Sequence, residues 1–209
     1  MTISQQAVAD WIAAFARAVA ADRDHLTALD AAIGDADHGV NMDRGLRAVA
    51  EKLAAEPAPD IGALLSRVGT ALVSSVGGAS GPLYGTLFLQ MGAAARGQRE
   101  LDLAAWTGAL ERGVEAVARL GKSRPGEKTM LDALAPAVQA LRSAAGATVA
   151  VAMGAAERAA HAGMLSTIPL VARKGRASYL GERSAGHQDP GATSAWLMLR
   201  AAAEAWKAS

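Results

Sequence analysis

No cysteine occurs in the 209-residue chain, which excludes disulfide bridges, thiolate nucleophiles and cysteine-ligated zinc, and suits a cytoplasmic protein. Aromatic residues make up only 4 % of the sequence, too few for the stacking platforms with which proteins hold single-stranded nucleic acid. Nor is charge of either sign in excess. The 21 Lys and Arg face 20 Asp and Glu, so neither a nucleic-acid stripe nor a basic membrane patch is expected. A Ser/Pro/Gly-rich linker is also missing, and residues 1–209 are expected to form a single domain with a sizeable core. The N-terminal stretch lacks a basic leader and carries Asp10 inside its apolar run, so it does not read as a signal peptide.

The charge-free stretch from Val68 to Ala95 runs 28 residues, more than a membrane span requires. Its centre, Gly77-Gly78-Ala79-Ser80-Gly81-Pro82, divides it into two pieces too short to cross a bilayer. Two buried helices joined by a glycine-rich turn are expected instead, with Pro82 at the first position of the second. Elsewhere apolar residues recur at helical spacing. A Thr2/Gln5 capping box precedes Val8, Trp11, Ile12, Phe15 and Val19. Further helices are predicted near 24–33, 41–54, 60–75, 82–96, 102–120, 129–145, 148–165 and 191–207. In the last, Trp196, Leu199, Ala203 and Trp206 share one face. Alternating β-branched runs are scarce and Ala is abundant, so the expected class is all-α. Short connections point to an antiparallel bundle of about eight helices.

What the chain does have is an aspartate cluster. Asp30, Asp35 and Asp37 fall within eight residues, with no Lys or Arg among them. Carboxylates this close repel unless a proton or a metal intervenes, and oxygen-only ligands suit Mg2+ or Ca2+. Gly34 and Gly39 bracket the pair Asp35 and Asp37, as in a loop that folds closely around an ion. The plainer alternative is that these Asp side chains cap helices and turns, and spacing alone does not separate the two. An EF-hand is excluded: counted from Asp35, its glycine position is Val40 and its bidentate glutamate position is Leu46.

Three glycine-bearing loops accompany the cluster. Residues 74–82 put amides and hydroxyls at a helix N-terminus, where an anion binds, or else simply permit a tight turn between close-packed helices. Residues 121–130 bring Lys122, Arg124 and Lys128 before a helix, cations that can equally be solvated. Residues 172–193 are too long and aperiodic for a simple connector, and such loops are disproportionately functional. His38 is either a phosphate contact or a hydrogen-bonded core residue. Together, a hard-metal cluster, an anion-friendly helix start and a basic loop are the parts phosphoryl transfer needs. Gly121-Lys122-Ser123 is no Walker A motif, because Ala116 stands where the first glycine belongs, and Pro82 rules out a nucleophile elbow at Ser80. Protein-kinase loops and a Rossmann fingerprint are absent as well.

Four blocks carry a more specific likeness: Ile33-Gly34-Asp35-Ala36-Asp37-His38-Gly39 with Asn41 and Met42, Leu72 through Leu83, Gly126-Glu127-Lys128-Thr129-Met130, and Ala172 through Thr193. In them the chain resembles the nucleotide-binding L subunits of dihydroxyacetone kinases and the equivalent C-terminal domain of single-chain ATP-dependent dihydroxyacetone kinases. The resemblance implies an eight-helix antiparallel barrel whose open end holds ADP or ATP with two Mg2+ ions. It implies that Asp30, Asp35 and Asp37 ligate the metal, and that His38, Gly39, Val40, Asn41, Ala79 and Ser80 form the nucleotide cradle. Gly121 and Met130 would border the base. Arg176 and the run Asp189-Pro190-Gly191 would close over the nucleotide, with Arg176 stabilising the transferring charge, a role suited to a permanent guanidinium.

Nothing in the sequence resembles the separate K subunit that holds dihydroxyacetone on a histidine, so the resemblance implies part of a multi-subunit enzyme. In the leading reading, bound ADP is phosphorylated by a phosphohistidine M subunit of the phosphotransferase system and passes the phosphate to dihydroxyacetone on the K subunit. One alternative is an ATP-dependent split kinase for dihydroxyacetone or another short keto-sugar. Another is a nucleotide-loaded regulatory module that binds a transcription factor.

Overall fold

A computed structural model describes residues 2–207. Among them the chain forms nine α-helices: α1 (Gln5–Ala21), α2 (Arg23–Ile33), α3 (His38–Ala55), α4 (Ile61–Ser75), α5 (Ser80–Ala94), α6 (Leu103–Gly121), α7 (Leu131–Ser143), α8 (Val149–Ser166) and α9 (Pro190–Ala205). A 3-10 helix spans Arg176–Ser184. Two short strands, β1 (Ile3–Ser4) and β2 (Glu100–Leu101), pair antiparallel. Consecutive helices pack side by side from α3 to α9, and α1 closes the ring against α9 and α3. α2 lies between α3 and α9. The result is the expected all-α antiparallel barrel. No helix among the described residues is long and apolar enough to cross a membrane.

The helix starts show how the sequence sets boundaries. Ser4, Asp60, Asp102, Thr148 and Asp189 each accept the amide three residues on, capping α1, α4, α6, α8 and α9. The expected capping box at Thr2 is therefore placed two residues too early. Thr2 Oγ1 instead donates to Glu100 Oε2 at 2.8 Å, because the chain before α1 is drawn into the pairing with β2. α3 begins at His38, three residues earlier than predicted, and Pro82 is the third residue of α5 rather than its first.

The uncharged stretch forms α4 and α5, joined at the glycine-rich turn and packed closely. A Cβ at Gly62 would stand 2.7 Å from Gly92 O and one at Gly92 2.7 Å from Gly62 O, while Gly69 and Gly85 oppose each other in the same way at 2.8 and 3.0 Å. In α1 the predicted apolar face is buried as expected. It meets a cluster in which the rings of Trp11, Trp106 and Trp206 pack edge to face, with centroids 4.9 to 5.9 Å apart. Trp196, Leu199, Ala203 and Trp206 lie on one face of α9 as predicted, but burial is not confined to that face. Buried residues run around most of its circumference, since it is packed by α1, α2, α7 and α8, and Trp196 is the half-buried member of the predicted set.

Candidate functional site

A cavity of about 490 Å3 opens at one end of the barrel, within the range of small-molecule sites. Its wall is built from the α2–α3, α4–α5 and α6–α7 connections and from the long segment between α8 and α9. The N-termini of α3, α5, α7 and α9 therefore meet at this end. The free amides at the starts of α3 and α5, and the positive dipole ends of all four helices, favour an anion. Asp37, Ala79 and Met130, which precede α3, α5 and α7, make no side-chain cap, unlike the residues that cap α1, α4, α6 and α8.

Beside these amides stands the aspartate cluster. Asp30, Asp35 and Asp37 each present a carboxylate oxygen within 4.8 Å of the others. Asp30, at the end of α2, is buried, and its Oδ2 accepts the amides of Asp37 (2.9 Å) and His38 (3.1 Å), which folds the loop back on itself. A Cβ at Gly34 would lie 2.1 Å from Asp30 Oδ1, so a side chain there would block that oxygen. Ala36 adopts a left-handed backbone (φ 61) between the other two aspartates. The remaining non-glycine residues with positive φ among those described, Lys122 and Lys128, also lie in segments bordering the cavity, where strain of this kind tends to collect. The donor set is all oxygen and fits a hard divalent cation such as Mg2+.

His38 is buried, and both its ring nitrogens are engaged: Nδ1 with Ser80 Oγ at 3.0 Å and Nε2 with Ser194 Oγ at 2.9 Å. Ser194 in turn bonds the Tyr84 hydroxyl at 2.7 Å. Burial pushes the His38 pKa down against the opposing pull of Asp30 and Asp37, which favours the neutral ring. Burial likewise raises Tyr84, keeping its phenol protonated. Asp189 is buried at the start of α9, and its pKa is pushed up to about 7. Desolvation is the main cause; the Ala192 amide and Lys128 oppose it, while Asp132 and Asp30 reinforce it. The Arg176 guanidinium reaches Asp35 Oδ2 at 3.1 Å, so the segment between α8 and α9 and the aspartate loop touch.

Of the residues singled out from sequence, Asp30, Asp35, Asp37, His38, Ala79, Ser80, Gly121, Met130, Arg176, Asp189, Pro190 and Gly191 line this cavity together. Gly39, Val40 and Asn41 do not. A Cβ at Gly39 would lie 2.0 Å from Arg23 O, Val40 is 49 % exposed in a surface hollow beside Arg23 and Arg47, and Asn41 abuts Gly77 and accepts from Arg44. What Gly39 and Val40 offer the site is first-turn amides of α3. Sequence reasoning missed Ile33, Leu83, Val117 and Leu120, the apolar part of the wall, and also Tyr84 and Ser194. Leu83, Val117 and Leu120 lie on helices predicted only for packing, and nothing in the sequence marks them as cavity-facing.

Fold and site together define an all-α barrel protein whose open-end pocket is chemically suited to a polyanion and a hard cation. The chain belongs to the DAK2 domain family, whose pattern it matches over residues 32–204. It is 45 % identical over 209 residues to the ADP-binding subunit of PEP-dependent dihydroxyacetone kinase from Escherichia coli (strain K12), covering 99 % of this chain and all of that one. It is 40 % identical to triokinase/FMN cyclase of Homo sapiens over 184 residues, covering 87 % of this chain and 32 % of that protein. The crystal structure of the dihydroxyacetone kinase from C. freundii in complex with AMP-PNP and Mg2+ superposes with a TM-score of 0.72 at 28 % identity, covering 93 % of this chain and 33 % of that one. This chain thus spans about a third of the length of that kinase.

Proposed function

We propose that this chain is the ADP-binding subunit of a phosphoenolpyruvate-dependent dihydroxyacetone kinase, a phosphotransferase component that works with partner subunits. One observation carries the proposal: a three-carboxylate cluster and four helix N-termini share one cavity. That combination suits a Mg–nucleotide, with cation ligands on one wall and anion-binding amides on the other. Full-length similarity to a bacterial ADP-binding subunit supports the choice among kinases.

In this reading Asp30, Asp35 and Asp37 hold Mg2+, two ions by the family resemblance. The metal neutralises phosphate charge when bound. The uncapped starts of α3 and α5 donate to phosphate oxygens, and Ser80 does so from a position fixed by His38. Leu83, Val117, Leu120 and Met130 supply an apolar wall for the base next to Gly121. A carboxyl at Asp189 that is largely protonated below neutrality adds little repulsion to the polyphosphate. The long segment between α8 and α9 acts as a lid in this reading, and Arg176, which it carries, reaches over the aspartate loop and stabilises the charge of the transferring phosphoryl group. The phosphate arrives from a phosphohistidine M subunit and leaves to dihydroxyacetone on a K subunit, both meeting the barrel at its open end.

Similarity to triokinase/FMN cyclase supports a second reading, an ATP-dependent split kinase for dihydroxyacetone or another short keto-sugar. Chromatography of the nucleotide released on denaturing protein purified in Mg2+ buffer separates the two. Near-stoichiometric ADP is expected of a retained coenzyme. An empty site, with steady turnover on added ATP and a K partner, would replace the first reading by the second.

A further inference from the structure

The turn before α7 hides a cation. Lys128, left-handed at φ 63, is 1 % exposed. Its ammonium donates to the carbonyls of Thr167 (2.7 Å), Leu170 (3.1 Å) and His187, with Ile168 O at 3.4 Å. These carbonyls belong to the two strands of the lid's neck. Residues 167–170 lead out of α8, and His187 leads back into α9. The strands are also tied directly, Gly186 N–H to Ile168 O at 2.8 Å and Asp189 N–H to Thr167 Oγ1 at 3.0 Å. The Arg173 amide donates to Glu127 O at 3.1 Å, next to Lys128 in sequence.

We propose that Lys128 is a positioning residue whose ammonium serves as a built-in monovalent cation, locking both strands of the lid neck to the α7 turn and so setting where Arg176 stands. The assignment rests on the reading of this segment as a lid. An ammonium has three protons, and its three shorter contacts draw one carbonyl from Thr167, one from Leu170 and one from His187. Although Lys128 borders the cavity, no proton is left for a phosphate. Carbonyl oxygens converging on one buried point require a donor among them. Asp189 and Asp132 are the acidic groups that favour the charged form against burial, which pushes the Lys128 pKa down.

Lys128→Ala deletes the equivalent of n-propylammonium and leaves the carbonyl cage, so the missing group can be added back. Hydrogen exchange of the lid amides, residues 172–186, is the readout, and it needs no kinase activity. Failure here therefore stays separate from failure of the functional reading. The expected result is lid exchange at least about tenfold faster with the barrel helices unchanged, slowed again by n-propylammonium but not by tetramethylammonium, which has no N–H. Unchanged lid exchange, or equal recovery with both cations, would overturn the proposal. Lys128→Met keeps the length without the charge and is expected to show the same loosened lid; full protection in it would also overturn the proposal. Should neither variant fold, the intact protein decides. A solvent-protected 15N–1H ammonium signal for Lys128 is expected, and its absence would refute the cage.

Discussion

Asp189 shows how one buried carboxyl links stability to pH. Unfolded, it loses its proton near 4; folded, it holds the proton to about 7. Over that window the folded state binds more protons, so this group's contribution to stability falls as pH rises from about 4 to about 7 and is constant above. Asp189→Asn retains a capping side chain for the Ala192 amide and has nothing to titrate. Urea unfolding in metal-free buffer is expected to show the variant gaining on the parent across that window, and parallel pH profiles would sink the assignment. Arg176 and Asp35 test the chemistry. Their ion pair is exposed enough to contribute little to folding, so both variants should unfold like the parent. Arg176→Ala is expected to keep Mg–ADP yet slow phosphoryl transfer at least about a hundredfold in rapid-quench assays. Asp35→Asn is expected to weaken Mg-dependent nucleotide binding at least about tenfold by calorimetry, one charge-assisted contact being worth upward of roughly 1.5 kcal/mol.

Among the elements, α4 and α5 give the sharpest contrast between reading and structure. The absence of charge over Val68 to Ala95 was enough to infer two buried helices, and the glycines were enough to place the turn. That Gly62, Gly69, Gly85 and Gly92 interlock backbone against backbone was not legible, because the pairing depends on the register of two helices that sequence does not fix. Gly69→Ala would set its methyl 2.8 Å from Gly85 O and 2.7 Å from Leu89 Cγ. The expected cost is about 1–3 kcal/mol, despite the better helix propensity of Ala. Gly108→Ala in α6, where nothing lies within 4 Å, is expected to gain up to about 1 kcal/mol. Thermal denaturation of the pair checks both signs, and equal shifts would deny the interlock.

For the whole molecule, closure of the ring by α1 against α9 brings the first and last helices together around three tryptophans. Trp11 Nε1 donates to Met198 O at 2.9 Å across this seam, whereas Trp106 Nε1 is buried without a partner. Trp11→Phe is therefore expected to cost about 1 kcal/mol more than Trp106→Phe in equilibrium unfolding, and the reverse order would refute this account of the seam. Sequence alone determined the helical class, because the 3.6-residue period and the lack of alternating runs are local properties. It also marked the aspartate loop and the three flanking loops, since their chemistry is written in adjacent residues. Tertiary structure decided the rest. It turned α9 into a helix buried around most of its circumference, brought Ser194 onto His38 from 156 positions away and Tyr84 onto Ser194 from 110, and gathered four helix N-termini at one mouth. Such contacts depend on how the ring closes, and closure is a property of all the helices packed together that no local stretch of sequence encodes.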